Sequence, residues 1–377
     1  MTIDNDLAAT PPMGWNSYDC YGGEVTEEQV RANADYMAEH LASHGWRYVV
    51  IDIAWHGRRH MNEFGDEGMD EFGRLLPSAG RFASGRGGAG FKPLADYVHG
   101  LGLEFGIHIM PGITTRAVRR DLPIKDSPHS ATDIALPDRF NKLWPDGLHL
   151  VDTTHPGAQD YYDSLFELYA QWDVDFIKAD GLNNPYLPEQ VAAIDRARRR
   201  CGRPMVLSIS AGCTDYTMWA EHRKRHCEMS RVSEDFWDEW SQLENQFYNF
   251  RAWEGHGGPG HWRDGDMLPL GRIAIRQHPA NGPERTTRFT RNEQRTLMTL
   301  WSIAQSPLMF GGDLPSCDDW TLSLLTNDEV LAVNQRGGNG RELFRACDVR
   351  GVVWICDLPE PGEVALGLFN FSEGEEN

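Results

Sequence analysis

The sequence has few basic residues for its size and an excess of acidic ones. Its 36 Lys and Arg stand against 56 Asp and Glu, for a formal net charge of −20. Binding to nucleic acid or to an anionic membrane requires a concentrated basic face. The composition therefore predicts neither partner and is compatible with a small neutral substrate. It leaves the oligomeric state open, and a homo-oligomer is compatible with it.

Paired cysteines and long apolar runs are also missing. The seven cysteines occur singly, without CxxC spacing, which argues against a disulfide framework or a zinc cluster and favours a reducing compartment. No stretch reaches the roughly 20 apolar residues that a membrane-spanning helix needs. Residues 1–10 lack the basic start and apolar run of a secretory signal. We therefore predict a cytoplasmic protein.

Short apolar runs that end in polar residues recur eight times and alternate with helical periodicity. This pattern predicts a (β/α)₈ TIM barrel over residues 1–335, with the active site at the carboxyl ends of the strands. A doubly wound open sheet is the competing fold, but no dinucleotide-type GxGxxG follows the first run. The eight runs lie at residues 11–18, 48–55, 104–109, 176–181, 205–210, 228–235, 262–268 and 306–313.

Two further segments differ from this pattern. Residues 57–90 are rich in Gly, Arg and Ser, and their length predicts a lid or insertion on the loop face. Residues 336–377 predict a β-hairpin, which we interpret as the start of a C-terminal antiparallel β domain that the chain leaves incomplete. Since a lone hairpin is marginally stable, we expect it to pack on the barrel or to belong to a larger β domain.

The run Phe176–Gly181 ends abruptly on Lys178 and Asp180. Two carboxylates across a barrel mouth, with aromatic residues nearby, are the minimal apparatus for glycoside hydrolysis. The charge of Lys178 favours the ionised form of Asp180, as a nucleophile requires. The residues alone leave the second carboxylate open among five acids: Glu234, Asp235, Asp238, Asp264 and Asp266.

Six motifs in order resemble those of glycoside hydrolase family 27, the α-galactosidase family of clan D. Each motif is weak alone, but together they extend from residue 11 to residue 335. They are PPMGWNS at 11–17, FIKADG at 176–181, an RxxxD pair formed by Arg231 and Asp235, WRDGDML at 262–268, SPL at 306–308, and LTN through NQ at 325–335.

The resemblance implies a retaining double-displacement mechanism without metal or cofactor. Asp180 would be the nucleophile and Asp235 the general acid/base, with carboxyl groups about 5–5.5 Å apart. Among the sugar-binding residues, Trp15 would form the floor, Asp52 would accept hydrogen bonds from hydroxyl groups, and Lys178 would hold hydroxyls beside the nucleophile. Arg231 would contact the sugar near C2, or would serve as a structural partner of its acidic neighbours.

The departures from the family pattern bear on the substrate. Residues 51–55 are Ile-Asp-Ile-Ala-Trp. The resemblance places them at a motif that is similar to IDDCW in α-galactosidases, whose paired aspartates bind the O4 and O6 hydroxyls. A hydroxyl buried against Ile53 would lose its water without replacement, which costs about 1–3 kcal/mol. Family members with isoleucine here resemble β-L-arabinopyranosidases, whose sugar has the galactose ring configuration without C6. Ile53 and Trp55 therefore join the predicted substrate-binding residues.

Two more positions depart from the family and are predicted to contact substrate. His108 stands where α-galactosidases usually have tyrosine, and Ser210 stands where many have a glutamate that holds the 2-hydroxyl. The leading hypothesis is an exo-acting β-L-arabinopyranosidase with residual α-galactosidase activity. An ordinary α-galactosidase is the alternative, in which Ile53 merely packs the strand. A non-catalytic sugar-binding barrel and a metal-dependent barrel enzyme are hypotheses of other classes.

Overall fold

The computed structural model describes residues 7–57, 68–139, 147–183, 185–212, 216–276, 282–346 and 351–372. Strands are labelled in chain order: β1 Met13–Asn16, β2 Tyr48–Ile51, β3 Glu104–Ile109, β4 Ile113–Thr114, β5 Ala135–Arg139, β6 Leu148–Val151, β7 Phe176–Ala179, β8 Val206–Ile209, β9 Met229–Arg231, β10 Trp262–Asp264, β11 Arg272–Ile273, β12 Arg285–Thr286, β13 Leu308–Phe310, β14 Gly338–Ala346, β15 Gly351–Asp357 and β16 Val364–Asn370.

The helices are labelled in the same way. They are α1 Tyr18–Tyr21, α2 Glu27–His40, α3 Lys92–Gly100, α4 Thr115–Arg119, α5 Ala131–Ile134, α6 Pro156–Gln171, α7 Pro188–Arg200, α8 Ala220–His226, α9 Trp240–Ala252, α10 Arg291–Ile303, α11 Asp319–Leu325 and α12 Asp328–Arg336.

Eight parallel strands form the central sheet, in the order β10, β9, β8, β7, β3, β2, β1, β13. The outermost two are brought together by a parallel bridge between Leu268, just after β10, and Phe310 in β13. There, the Leu268 amide donates to the Met309 carbonyl at 2.8 Å. All eight strands fall in the runs where the sequence predicts them, so the predicted TIM barrel is confirmed.

Local sequence explains how the first barrel unit forms. A Cβ added to Gly14 would lie 2.4 Å from the Tyr48 carbonyl oxygen, so only glycine allows β1 to approach β2 so closely. Thr26 caps α2, since its side chain accepts from the Gln29 amide in a capping box. Such a cap stabilises a helix by about 1 kcal/mol.

The C-terminal hairpin is confirmed and gains a third strand that the sequence did not predict. β14, β15 and β16 form an antiparallel sheet, whose inner face packs on the helices of the barrel. The ring centroids of Phe369 and Phe247 lie 4.8 Å apart, and Trp354 is fully buried. The other face exposes apolar side chains, namely Leu343, Phe344, Val364, Leu366 and Leu368.

The region between β3 and β7 contains a small additional sheet that the sequence did not predict. β4, β6 and β5 form a separate three-stranded antiparallel sheet there, beside α4 and α5. In the predicted lid, residues 58–67 lie outside the described ranges, and 83–88 form a 3₁₀ turn. Within the described part of the chain, no helix is long and apolar enough to cross a membrane, and the five cysteines located there carry free thiols.

Candidate active site

The carboxyl ends of the barrel strands surround a cavity of about 370 Å³. Parallel strands of a closed barrel deliver the residues that follow them to one face, and this is where TIM-barrel active sites lie. Most of the residues that line the cavity are polar, charged or aromatic, and a few are apolar or glycine: Tyr18, Asp19, Asp52, Ile53, Met110, Lys178, Asp180, Gly181, Asn183, Arg231, Glu234, Asp235, Phe236, Trp237, Asp266 and Met267.

Asp180 follows β7 and is held from two sides. The Gly181 amide donates to Asp180 Oδ1 at 2.7 Å, and His108 Nε2 lies 3.4 Å from Asp180 Oδ2. About 37% of the side chain is exposed, which leaves the carboxylate open to the cavity. Burial of the Asp180 carboxyl opposes its ionisation and raises its pKa. The hydrogen bond and charge of His108 lower this pKa, as do the charges of Lys178 and Arg231, and together they hold it below its usual value.

Asp52 and Lys178 form a buried ion pair across the barrel. Lys178 Nζ donates to Asp52 Oδ2 at 2.8 Å, and Asn16 Nδ2 donates to the same oxygen at 2.9 Å. Burial is the largest influence and raises the pKa of Asp52, but the charges of Lys178 and His108 and the hydrogen bonds from Lys178 and the Ile53 amide together outweigh it and set that pKa at about 2. Burial likewise opposes protonation of Lys178, whereas Asp52, Asp266 and Asp180 raise its pKa. Both groups are therefore charged at neutral pH.

Ile53 lies beside this ion pair, where the chain turns away from β2. Its amide donates to Asp52 Oδ1 at 2.8 Å, and the next residue, Ala54, has a positive φ of 63°. The Ile53 side chain lines the cavity, and 8% of the residue's surface is exposed. The cavity wall next to the Asp52 carboxylate is therefore apolar at this point.

Arg231 connects two carboxylates on the opposite side. Its Nη2 donates to Asp235 Oδ1 at 2.7 Å, and its Nη1 lies 3.0 Å from Asp266 Oδ2. Arg231 is buried, whereas 79% of the Asp235 side chain is exposed. Arg231 is thus a structural partner of Asp235 and also lines the cavity, as the sequence interpretation had allowed.

Two buried aspartates, Asp264 and the cavity-lining Asp19, are held in an environment that disfavours negative charge. Burial, and after it the charge of Asp266, raises the pKa of Asp264 to about 6. Asp19 is 1% exposed, and neither of its carboxyl oxygens has a hydrogen-bond partner within the described ranges. Burial, with Asp266 adding to it, raises the pKa of Asp19 well above its usual value.

Comparison with known proteins agrees with this arrangement. Residues 143–336 match the family described as Alpha galactosidase A. Alpha-galactosidase A of Cellvibrio japonicus is 31% identical over 350 residues, which cover 87% of this chain and 68% of that protein. A crystal structure of a GH27 β-L-arabinopyranosidase from Geobacillus stearothermophilus is 48% identical, with a TM-score of 0.92 over 98% of this chain and 86% of that one. The chain belongs to glycoside hydrolase family 27.

A second structure of the Geobacillus enzyme, in complex with arabinose, is 47% identical to this family 27 glycoside hydrolase. It has a TM-score of 0.92 over 99% of this chain and 88% of that one. The predicted family, fold and enzyme class are therefore confirmed.

Four of the predicted substrate-binding residues do not line the main cavity of this family 27 enzyme. Trp15 has no exposed surface and donates through its indole nitrogen to the Gly312 carbonyl. The Trp55 indole nitrogen donates to the His108 carbonyl at 2.7 Å. Trp55 and His108 line a neighbouring cavity of about 70 Å³. Ser210 is buried. Direct contacts of these four residues with a sugar stay predictions.

Sequence reasoning missed several residues that do line the cavity. Most follow a barrel strand by a few positions, so counting onward from each predicted strand end could have found them. Their residue types gave no separate signal, because a tyrosine or asparagine in a loop is common. The missed residues are Tyr18, Asp19, Met110, Asn183, Phe236, Trp237 and Met267.

Proposed function

We propose that this family 27 enzyme is a retaining, exo-acting β-L-arabinopyranosidase. The observation that carries the proposal is the position of Ile53, whose apolar side chain lines the cavity directly beside Asp52. A galactose hydroxymethyl group placed there would bury its hydroxyl without a partner, at about 1–3 kcal/mol. A pentopyranose has no such group. The 48% identical Geobacillus enzyme, which is a β-L-arabinopyranosidase, supports this choice.

In the proposed reaction, Asp180 and Asp235 act in two displacements. An Asp180 oxygen forms a bond to the anomeric carbon while the glycosidic C–O bond breaks, and Asp235 gives its proton to the leaving oxygen. Water then attacks the anomeric carbon, Asp235 takes a proton from it, and Asp180 leaves as a carboxylate. The lowered pKa of Asp180 supports its role, because the nucleophile must be ionised before the first step.

The buried charges would position the sugar for this attack. Asp52 has a carboxylate at the cavity surface that is already oriented by Lys178 and Asn16, and it would accept from ring hydroxyls. Lys178 would donate to hydroxyls beside Asp180. Arg231 is fixed by Asp235 and Asp266 and would lie near the sugar 2-hydroxyl. Such preorganised groups bind the sugar without a free-energy cost of reorientation during the reaction.

An α-galactosidase activity is the second candidate. It is favoured by the curated relatives, which include the 31% identical Cellvibrio protein and a 29% identical α-galactosidase from Cyamopsis tetragonoloba. The two sugars share the ring configuration that Asp52 and Lys178 would recognise. We therefore expect a weaker α-galactosidase activity in the same cavity.

The test compares kcat/KM for p-nitrophenyl β-L-arabinopyranoside and p-nitrophenyl α-D-galactopyranoside in the wild type and in Ile53→Asp. We expect the wild type to prefer the arabinoside and Ile53→Asp to shift the ratio at least tenfold towards the galactoside. Ile53→Val is the matched control, because it keeps the wall apolar and should keep the preference. A wild type that prefers the galactoside, with no further shift in Ile53→Asp, would refute the proposal.

A further inference from the structure

Ile53 begins a turn of the backbone that alanine disfavours. We call residues 53–57, which follow β2, the β2 turn. Ala54 has a φ of 63°, in the left-handed region where a side chain costs free energy and glycine is tolerated. The Ala54 carbonyl accepts from the Gly57 amide at 3.1 Å, which closes the turn. A strained conformation of this kind persists only where surrounding groups hold it. The contacts of the β2 turn therefore decide where the Ile53 side chain lies.

One arginine makes several of these contacts. Arg81 donates through Nη2 to the carbonyl oxygens of Ala54 and Gly57 in the β2 turn. Through Nη1 it donates to the carbonyl oxygens of Gly23 at 2.9 Å and Val25 at 3.0 Å, in the loop after α1. A single half-buried residue thus binds four backbone carbonyls and joins the loops that follow the first two strands.

The segment that carries Arg81 is itself fixed. The Arg81 amide donates to the Ser78 carbonyl at 3.0 Å, and the Arg81 carbonyl accepts from the Glu27 amide at 2.9 Å. Glu27 Oε2 also accepts from the Ser84 amide at 2.9 Å, which attaches the segment to α2. In addition, the Ser78 amide donates to the Trp55 carbonyl at 3.0 Å. Residues 78–84 therefore form a support for the β2 turn that is fixed to α2.

Arginine suits this position because of the geometry of its donors. Its guanidinium presents five N–H groups in a planar fork, whereas a lysine ammonium has three donors on a flexible stem and a glutamine amide has two. Neither replacement can hold four carbonyl oxygens in two loops with the same geometry. The Arg81 guanidinium also lies 5.4 Å from the centre of the Phe82 ring. Lysine can retain that contact through its stem and charge, so Arg81→Lys is a mild change.

We infer that Arg81 is a positioning residue for sugar selection, which holds the β2 turn so that the Ile53 side chain stays in the cavity wall. Arg81 is not among the residues that line the cavity, so it acts through the turn. With the turn released, the wall beside Asp52 would move and admit water or a hydroxymethyl group, and a galactoside would lose less binding. The inference rests on the role that Proposed function gives to Ile53.

The experiment measures the ratio of kcat/KM for p-nitrophenyl β-L-arabinopyranoside to that for p-nitrophenyl α-D-galactopyranoside. We expect Arg81→Lys to lower this ratio at least fivefold and Arg81→Gln to lower it as much or more. In the Ile53→Asp background, where the apolar wall is already gone, Arg81→Lys should change the ratio less than twofold. This dependence on residue 53 separates positioning of the wall from a general loss of structure.

Arg203→Lys is the matched control. Arg203 is also half-buried and donates to two backbone carbonyls, those of Val174 at 2.9 Å and Asp173 at 3.2 Å. These carbonyls precede β7 and so lie at the end of the barrel opposite the cavity. We expect Arg203→Lys to lower the melting temperature but to change the ratio less than twofold.

Two results would overturn the inference. One is an unchanged ratio in folded Arg81→Lys and Arg81→Gln, and the other is a shift in Ile53→Asp as large as that in the wild type. Glu27→Ala is a further variant, which removes the acceptor of the Ser84 amide and leaves Arg81 in place. It should lower the ratio by a smaller factor. If neither Arg81 variant folds, an unchanged ratio in Glu27→Ala overturns the inference.

Failure of the proposed function gives a different pattern. If Ile53→Asp leaves the ratio unchanged, Ile53 does not select the sugar, and both proposals fail. If Ile53→Asp shifts the ratio at least tenfold but Arg81→Lys leaves it unchanged, the proposed function stands and the inference about Arg81 fails.

Discussion

Lys178 donates a 2.8 Å hydrogen bond to Asp52, and this bond joins two strands that are not neighbours in the barrel. Lys178 is in β7, which ends at the proposed nucleophile, and Asp52 follows β2, next to the residue that we propose selects the sugar. β3 lies between them. The groups proposed for bond cleavage and for sugar recognition are therefore coupled through one buried ion pair.

Breaking this pair should affect both stability and activity. We expect Asp52→Asn to lower the free energy of unfolding by about 3–5 kcal/mol, because it leaves the Lys178 charge without its main partner in a buried site. It should also lower kcat/KM by two orders of magnitude or more. Urea unfolding and steady-state kinetics measure the two effects. Lys125→Gln is the control, since its partners are exposed and its loss should change stability by less than about 1 kcal/mol.

The pH profile should report the contact between His108 and Asp180. The hydrogen bond from His108 is the largest influence that lowers the pKa of Asp180, so His108→Ala should raise that pKa. Since the nucleophile acts as a carboxylate, the acidic limb of kcat/KM should move to higher pH. His108→Gln retains a donor and should move the limb less. Identical acidic limbs in all three proteins would show that His108 does not set the ionisation of Asp180.

The proposed roles of Asp180 and Asp235 can be separated with azide. We expect Asp180→Ala and Asp235→Ala each to lower activity on an aryl glycoside by 10²-fold or more. In Asp235→Ala, azide needs no general base, so it should attack the anomeric carbon of the glycosyl–Asp180 intermediate in place of water. Asp180 then leaves as a carboxylate, and the glycosyl azide has retained configuration. In Asp180→Ala, azide would attack from the nucleophile's side and give the inverted azide. NMR of the products distinguishes them, and exchanged outcomes would reverse the assignment.

Asp264 should make stability depend on pH below neutrality. Its pKa in the folded protein is about 6, against an ordinary value of 3.8, so the folded state binds the proton more tightly than the unfolded state. This contribution is fully present below about pH 3.8 and is lost as the pH rises through 6, for a total of about 3 kcal/mol. Asp264→Asn keeps an acceptor for the Asp266 amide. Its free energy of unfolding, relative to wild type, should therefore rise between pH 4 and pH 6.5.

Much of the fold could be predicted from the sequence, because its signals are local. The eight apolar runs and the Thr26 cap follow from hydrophobic pattern and capping chemistry within a few residues. The third C-terminal strand, β14, was not predictable in this way. Its burial pattern alternates poorly, and it is held as a strand by pairing with β15 and by hydrogen bonds of its backbone to Arg263, Gln305 and Glu254 of the barrel.

In the candidate site, too, some features could be predicted from local sequence and others depend on tertiary contacts. Motif order predicted the family, which the comparisons confirm, and it also carries the proposed roles of Asp180 and Asp235. The proposed sugar rests on the residue type at position 53, since whether a side chain can accept a hydrogen bond depends on its chemistry alone. The position of Trp15 outside the cavity lining and the bond between Lys178 and Asp52 depend on contacts between residues far apart in the chain. Barrel closure creates those contacts, and no local pattern in the sequence encodes which side chains then meet.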